Sequence, residues 1–243
     1  MLTRHRREVW VALAIAALCA VLAVVRPEYF GRGNLIDLFL ANLPVLIIAA
    51  GMTLVMLAGE IDISVGSAFA LCAVAAGVLA KSGMPTPLVF AAVCAMGSAV
   101  GVLNGALVAY LRLPSIVVSL AMMVALRDGL RWATQGAWVQ DLPAGFQWMG
   151  LSQGAYPFAA GILAAALTAV MAWSLRHTAA GRLLYATGSS PDAARLAGVN
   201  TPLVKLAAFA CLGALTGLAA ILNAMRFNQI PANAGIGLEM KVI

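Results

Sequence analysis

Few polar residues in this sequence stand where they could do chemistry, and two stretches hold most of them. The first is Gly59-Glu60-Ile61-Asp62-Ile63-Ser64-Val65-Gly66-Ser67. It places two carboxylates and two hydroxyls between long apolar runs. An ionisable group at membrane depth is costly and marks a substrate path, a relay or a gate. Glu60, Asp62 and Ser64 are therefore candidates for lining or gating a translocation path. The alternative is a short turn whose acids are simply solvated. The glycines and Ser64 predict a tight bend with a helix start capped at Ser64.

The second stretch is Ser190-Pro191-Asp192-Ala193-Ala194-Arg195-Leu196-Ala197-Gly198. It reads as a complete short helix. Ser190 can accept from a free backbone N–H at the N-cap, and Pro191 fits the first helical position, where no N–H is needed. Asp192 complements the positive helix end, and Gly198 can take the left-handed residue after it. So short a helix is not stable alone and needs a surface to pack on, its own helices or a partner's. Ala193, Ala194 and Ala197 allow close approach, Leu196 can anchor in an apolar groove, and Asp192 and Arg195 stand three apart, where they can pair.

Other chemistries find little support. No Gly-x-x-x-x-Gly-Lys-Ser/Thr loop occurs, so ATP would have to be bound by another chain. The two histidines, His5 and His177, stand beside arginines in polar segments. Cys19, Cys72, Cys94 and Cys211 lie in apolar runs without C-x-x-C spacing, which reads as small buried hydrophobes and not as metal ligands. No cofactor or metal is expected, and no nucleophile–base set suggests an enzyme.

The elements that must position these residues are membrane helices. Of 243 residues, 63% are hydrophobic and 10% charged, against about 45–50% and 25% in soluble domains. No soluble core could hide that excess, so the expectation is one all-α polytopic domain over residues 1–243. Seven runs approach the ~20 residues needed to cross hydrocarbon: Val9–Val25, Leu35–Ala58, Val65–Ala80, Leu88–Tyr110, Pro114–Trp132, Tyr156–Leu175 and Leu203–Leu222.

Arg4, Arg6 and Arg7 before the first run, with no small-residue cleavage site after it, read as a retained signal anchor with the N-terminus in the cytoplasm. The runs then place Arg176–Thr201, with Arg176, Arg182 and Arg195, on the cytoplasmic side, and Lys205 just beyond it. Arg26, Arg32, Lys81 and Arg131 fall outside. The net charge of +6 is thus explained by topology, and no basic stripe interleaved with aromatics suggests nucleic acid. Trp10, Trp132 and Trp173 stand near helix ends, where amphipathic rings favour the interface. Gly97, Gly101 and Gly105, and again Gly213 and Gly217, form stripes suited to close helix packing. Thr134–Ala155, with Trp138, Asp141, Phe146 and Trp148, is either an outer docking lip or an interface loop with partly buried aromatics.

Four segments together carry a family resemblance: Gly59–Ser67, Leu113–Leu120 (LPSIVVSL), Gly181–Val199 (GRLLYATGSSPDAARLAGV) and Ile230–Ile243 (IPANAGIGLEMKVI). From about Leu35 onward the chain resembles permeases of ATP-binding-cassette importers in the ribose, xylose, rhamnose and autoinducer-2 branch. Gly136–Pro143 and Gly237–Lys241 look most like the autoinducer-2 or rhamnose importers. Many members have a second glycine where this chain has Glu60, and the family continues past Ile243 with further spans.

The resemblance implies a non-catalytic permease in the bacterial inner membrane that moves a small sugar-like molecule. It implies three partners besides lipid: an ATP-binding subunit carrying ATP and Mg, a periplasmic sugar-binding protein, and a second permease subunit, identical or related. It also implies that Pro191–Ala197 is the element seated on the ATPase. A proton-coupled carrier using Glu60 or Asp62, and a non-transporting fragment, are the competing readings.

Overall fold

The computed structural model of the protein describes residues 6–231 and 233–243, with side-chain environments from Val9 onward. Arg4 and His5 lie outside the described residues, as do the side chains of Arg6 and Arg7. The chain divides into two compact units, Met1–Asn42 and Leu43–Ile243. In the first, α1 (Arg6–Val25) is followed by a 3-10 turn, Pro27–Phe30, and by the opening of α2 (Arg32–Leu57). Asn34 Nδ2 donates to the Tyr29 carbonyl at 2.7 Å, which ties that turn to α2.

The second unit holds the rest of α2, then α3 (Val65–Lys81), α4 (Thr86–Ala109), α5 (Ser115–Thr134), α6 (Tyr156–His177), α7 (Ala179–Ser189), α8 (Pro191–Leu196), α9 (Thr201–Ala224) and α10 (Glu239–Val242). The protein is an all-α bundle, and each of the seven apolar runs is a helix whose ends fall within three residues of those read from the sequence. Among the described residues, α2, α4, α6 and α9 are long and apolar enough to cross a membrane. α3 is shorter, and α5 carries Arg127, Asp128 and Arg131. The helix α7 escaped the sequence reading because it is polar on one side and too short to show as an apolar run.

The centre of the second unit is the pair α4 and α9. A Cβ placed on Gly97 would run into the Gly213 carbonyl, and one on Gly213 into the Gly97 carbonyl. Gly101 faces the Phe209 carbonyl, Gly105 the Leu206 backbone and Gly217 the Val93 carbonyl. The backbones touch because nothing stands between them, which is how membrane helices gain dispersion contact when lipid offers no hydrophobic driving force. α3 packs along both helices and also against α5. Ser67 Oγ donates to the Met123 carbonyl at 2.8 Å. Met123 is eight residues into α5, so α3 begins about 12 Å below the Ser115 end, at 1.5 Å per residue.

Two ends of this unit differ in character. At one, α8 and the α2–α3 and α4–α5 connections meet. At the other, residues 135–155 fold over the ends of α3 and α9. There Val139 and Ile230 exchange backbone hydrogen bonds of 3.0 and 2.8 Å. Trp148 stacks edge-on against Tyr156, with ring centroids 5.4 Å apart, and Tyr156 Oη donates to the Leu222 carbonyl at 2.5 Å. Phe146 and Leu142 are buried while Trp138 is half-exposed, so this segment is a packed loop with one aromatic left open. The cysteines also differ from a uniform buried set. Cys72 is buried, Cys94 and Cys211 are intermediate, and Cys19 is exposed, because an apolar run in a bilayer turns one face to lipid instead of to protein. Trp10, Trp132 and Trp173 are all exposed near helix ends.

The α4–α9 contact makes a stability prediction. Gly97→Leu should lower stability by about 3 kcal/mol, the upper end of usual overpacking costs, since the obstacle is backbone and cannot rotate away. Gly129→Leu in α5, where a side chain meets nothing within 4 Å, should be near neutral. Thermal unfolding of the two purified variants in detergent checks this; equal midpoints would refute it.

Candidate coupling and gating site

The α2–α3 connection is built by backbone geometry first. Gly59 takes a left-handed conformation at φ 81°. Its N–H donates to the Met56 carbonyl at 3.0 Å, and the Glu60 N–H reaches the Val55 carbonyl at 3.0 Å. That pair of bonds closes α2 in a Schellman motif and turns the chain back into the bundle. The Ile61 N–H then donates to Ser115 Oγ at 3.3 Å, at the start of α5.

Asp62 is consequently carried inward and is only 4% exposed. Its Oδ1 accepts from the Ser64 N–H at 2.8 Å and from Ser64 Oγ at 2.6 Å. Its Oδ2 accepts from Asn104 Nδ2 at 3.1 Å, and the same Nδ2 donates to Ser64 Oγ at 2.9 Å. Ser64 was expected to cap α3, but its side chain caps nothing and its backbone is already helical. The physical reason is that Asp62 is the stronger acceptor: a carboxylate two residues upstream takes both the N–H and the hydroxyl. Asp62 is therefore no solvated turn acid. It holds a buried three-residue knot that ties the linker to α4.

Glu60 has a different setting. Its Oε1 accepts from Lys205 Nζ of α9 at 2.5 Å, with the two side chains 14% and 20% exposed. The pair stands at the edge of a cleft of about 530 Å³, whose walls include Arg112, Pro114, Pro191, Asp192 and Arg195. The two carboxylates of one short motif thus do separate jobs, one internal and one at the rim of the cleft.

α8 forms the opposite wall. Ser190 Oγ accepts from the Ala193 N–H at 3.4 Å, and Asp192 pairs with Arg195. At the C-terminal end the Gly198 N–H donates to Arg195 at 3.0 Å and the Val199 N–H to Ala194 at 3.0 Å, with Gly198 at φ 83°. This is a second Schellman closure, and it fixes the orientation of a helix too short to hold itself. Ala194 is buried against the protein's own helices, whereas Leu196 is 92% exposed. The three alanines do not share an outward face: Ala194 is turned into the protein, whereas Ala193 and Ala197 are exposed. Behind α8, α7 brings Gly188 against the Leu57 carbonyl, leaving no room for a Cβ.

Sequence reading missed Asn104, Ser115 and Lys205 as partners of this site. Each sits on an otherwise apolar or unremarkable helix turn, 40 to 145 residues from its partner, so no local spacing announces it. A polar residue inside an apolar run, such as Asn104, was the one available signal. A second charged pair was also missed: Arg127 Nη2 lies 3.7 Å from Glu239 Oε1, toward the Trp138 end of the bundle.

With this geometry in hand, comparison with known proteins is decisive for the family. A family model described as the branched-chain amino acid transport system permease component matches residues 34–243. The chain belongs to this permease family. It is 36% identical to the autoinducer 2 import system permease protein LsrC of Salmonella typhi over 240 residues, covering 99% of this chain and 69% of that protein. The LsrC protein of Escherichia coli strain K12 / DH10B is 35% identical over 240 residues, with 99% and 70% covered. No solved structure matches the chain. The protein is a multi-pass inner-membrane permease subunit of an ATP-binding-cassette import system.

Two outcomes follow from the site geometry. Asn104→Leu strips the donor from Asp62 Oδ2 and should cost about 1–3 kcal/mol, the penalty of an uncompensated buried polar group; a thermal midpoint equal to wild type would contradict the buried knot. Lys205→Glu sets two acids together at the cleft rim. It should destabilise by an amount between the ~1 kcal/mol of exposed pairs and the ~3–5 kcal/mol of fully buried ones. The exchange Glu60→Lys with Lys205→Glu should recover most of that loss, and a double-mutant cycle with no coupling would refute the pairing.

Proposed function

We propose that this permease carries autoinducer 2 or a sugar-like molecule of similar size across the inner membrane, driven by ATP hydrolysed on a separate subunit. Both relatives are named as autoinducer 2 import permeases, which supports that substrate class over the amino acids in the family's description. In this reading two permease copies, identical or related, pair with two ATPases that hold the ATP and Mg. A periplasmic binding protein delivers the cargo.

The observation that carries the mechanism is α8. It is capped at both ends, anchored by Ala194, and turns Leu196 outward from the end where α9 begins. A rigid plug of this kind fits an apolar socket on the ATPase. Because α8 leads into α9 within a few residues, a push on Leu196 is passed to α9. Lys205 then transmits it to Glu60 and so to the α2–α3 linker. In this scheme Glu60, Asp62 and Ser64 are the moving joint of a gate, with the Asp62–Ser64–Asn104 knot as its hinge pin. Ser190, Pro191, Asp192, Arg195 and Gly198 hold the coupling helix in shape.

Leu196→Asp is the discriminating variant, since the side chain is almost fully exposed. It should leave membrane insertion and thermal stability unchanged while lowering ATPase co-purification and cargo-stimulated hydrolysis about tenfold, the loss of one well-buried aliphatic anchor. Wild-type stimulation in this variant would refute the coupling role. Uptake that collapses at once on adding a protonophore, with ATP held constant, would instead identify a proton-coupled carrier.

A further inference from the structure

The side chains of α5 divide into two faces. Ser115, Val118, Ser119 and Leu130 are buried against the bundle. Val117, Ala121, Val124, Asp128 and Arg131 are exposed, and they follow one another at intervals of four, three, four and three residues. That alternation averages 3.5 residues, the repeat of a seam along which two helices pack side by side. Ala121 is small, and Val117 and Val124, 61% and 53% exposed, are β-branched apolar residues of the kind that seams between two helices use.

Asp128 makes bare lipid an unsuitable neighbour for the exposed face. It lies six residues before the end of α5, about 9 Å in from that end, and one turn inside the exposed Trp132. α5 runs from the α8 end of the unit, where Ser115 meets Ile61, to the Trp138 end, so this depth falls within the bilayer. Arg131 stands between the same face and the cavity beneath Trp138. Among the described residues, neither the Asp128 nor the Arg131 side chain has a hydrogen bond or an ion pair. Ionisable side chains inside a membrane are almost always paired or turned to a polar interior, which calls for a partner of matching charge.

The face is its own complement. An acid and a base three residues apart on one seam meet a base and an acid on a parallel second copy. Asp128 of one copy then stands one seam step, about 4.5 Å along the axis, from Arg131 of the other, within reach of that long side chain. A two-fold axis repeats the same pair on the other side. Parallel copies are what an importer needs, since both α8 helices must meet ATPases on one side of the membrane. We propose that the Val117–Arg131 face of α5 is the seam between two copies of this chain, closed by reciprocal Asp128–Arg131 pairs. The assignment rests on the importer reading for the shared orientation of the copies, and it names the surface through which they pair.

The test is disulfide trapping of the full chain, carrying Cys19→Ser, in membranes of cells that produce this permease alone. Val124→Cys should be oxidised by copper phenanthroline to a dimer about tenfold faster than Ile162→Cys, which is 70% exposed on α6, because a disulfide forms only where the two backbones approach closely. Asp128→Lys or Arg131→Glu added to Val124→Cys should each slow trapping about tenfold, as for the loss of a charge-assisted hydrogen bond. The double exchange should restore it. Co-production of the two single variants should restore it as well, since each then supplies the charge that the other lacks; an acid–base pair within one chain would not behave so. Equal rates at Val124 and Ile162, undiminished trapping in both single variants, no recovery in the mixture, or a trapped product containing a different protein overturns the proposal. Trapping with charge-dependent recovery in a reconstituted complex that shows no ATP-dependent uptake would count against the importer reading and leave the seam standing. Uptake without trapping at Val124 would do the reverse.

Discussion

The contact between the backbones of α4 and α9 is the constraint on which the rest of this structure depends. With Gly97 against Gly213, and Gly101 against Phe209, the two helices approach as closely as their main chains allow. That closeness brings Asn104 near one end of α4 and Lys205 near the corresponding end of α9 to the same short linker. Asn104 takes Asp62 and Lys205 takes Glu60. A wider helix pair, spaced by ordinary side chains, would draw these donors away from the linker, so that Asp62 would lose one of its three hydrogen bonds and Glu60 its ion pair.

The linker itself works as a stiff connection and not as a loose loop. It is closed at its start by the Schellman bonds around Gly59, fastened to α5 through Ser115 and pinned in the middle by the Asp62 knot. The knot is almost fully buried and self-satisfied on the carboxylate side, so its arrangement has few alternatives close in energy. Only Glu60, at the rim, can exchange its partner without exposing a buried charge. An element with one rigid part and one exchangeable ion pair is suited to move as a unit when the helix on the other side of the cleft moves.

The two ends of the second unit thus show different chemistry. At the α8 end Glu60 pairs with Lys205 and Asp192 with Arg195, and Leu196 protrudes from the short helix. At the Trp138 end Arg127 and Glu239 stand 3.7 Å apart, and Arg127 lines a cavity beneath Trp138.

By itself the sequence determined the class of molecule. Seven apolar runs predict seven helices because lipid leaves backbone groups no other partners. The short helix Pro191–Leu196 was legible residue by residue, from Ser190 to Gly198, because capping is a local interaction between residues close in sequence. The glycine stripes likewise announced close packing. The sequence did not say which stripe meets which, that Asp62 would take the place of Ser64 as the organising group, or that Ala194 would face inward while Leu196 faced out. Nor did it single out Asn104, Lys205, Arg127 or Glu239. Most of those facts depend on contacts between residues far apart in the sequence, 40 to 145 positions in the case of Asn104 and Lys205, and such contacts are fixed only when helices pack. Local patterns record where the chain must be helical and where it must turn. The pairing of charges across the bundle is set by the distance between helix backbones, and only the tertiary structure decides that.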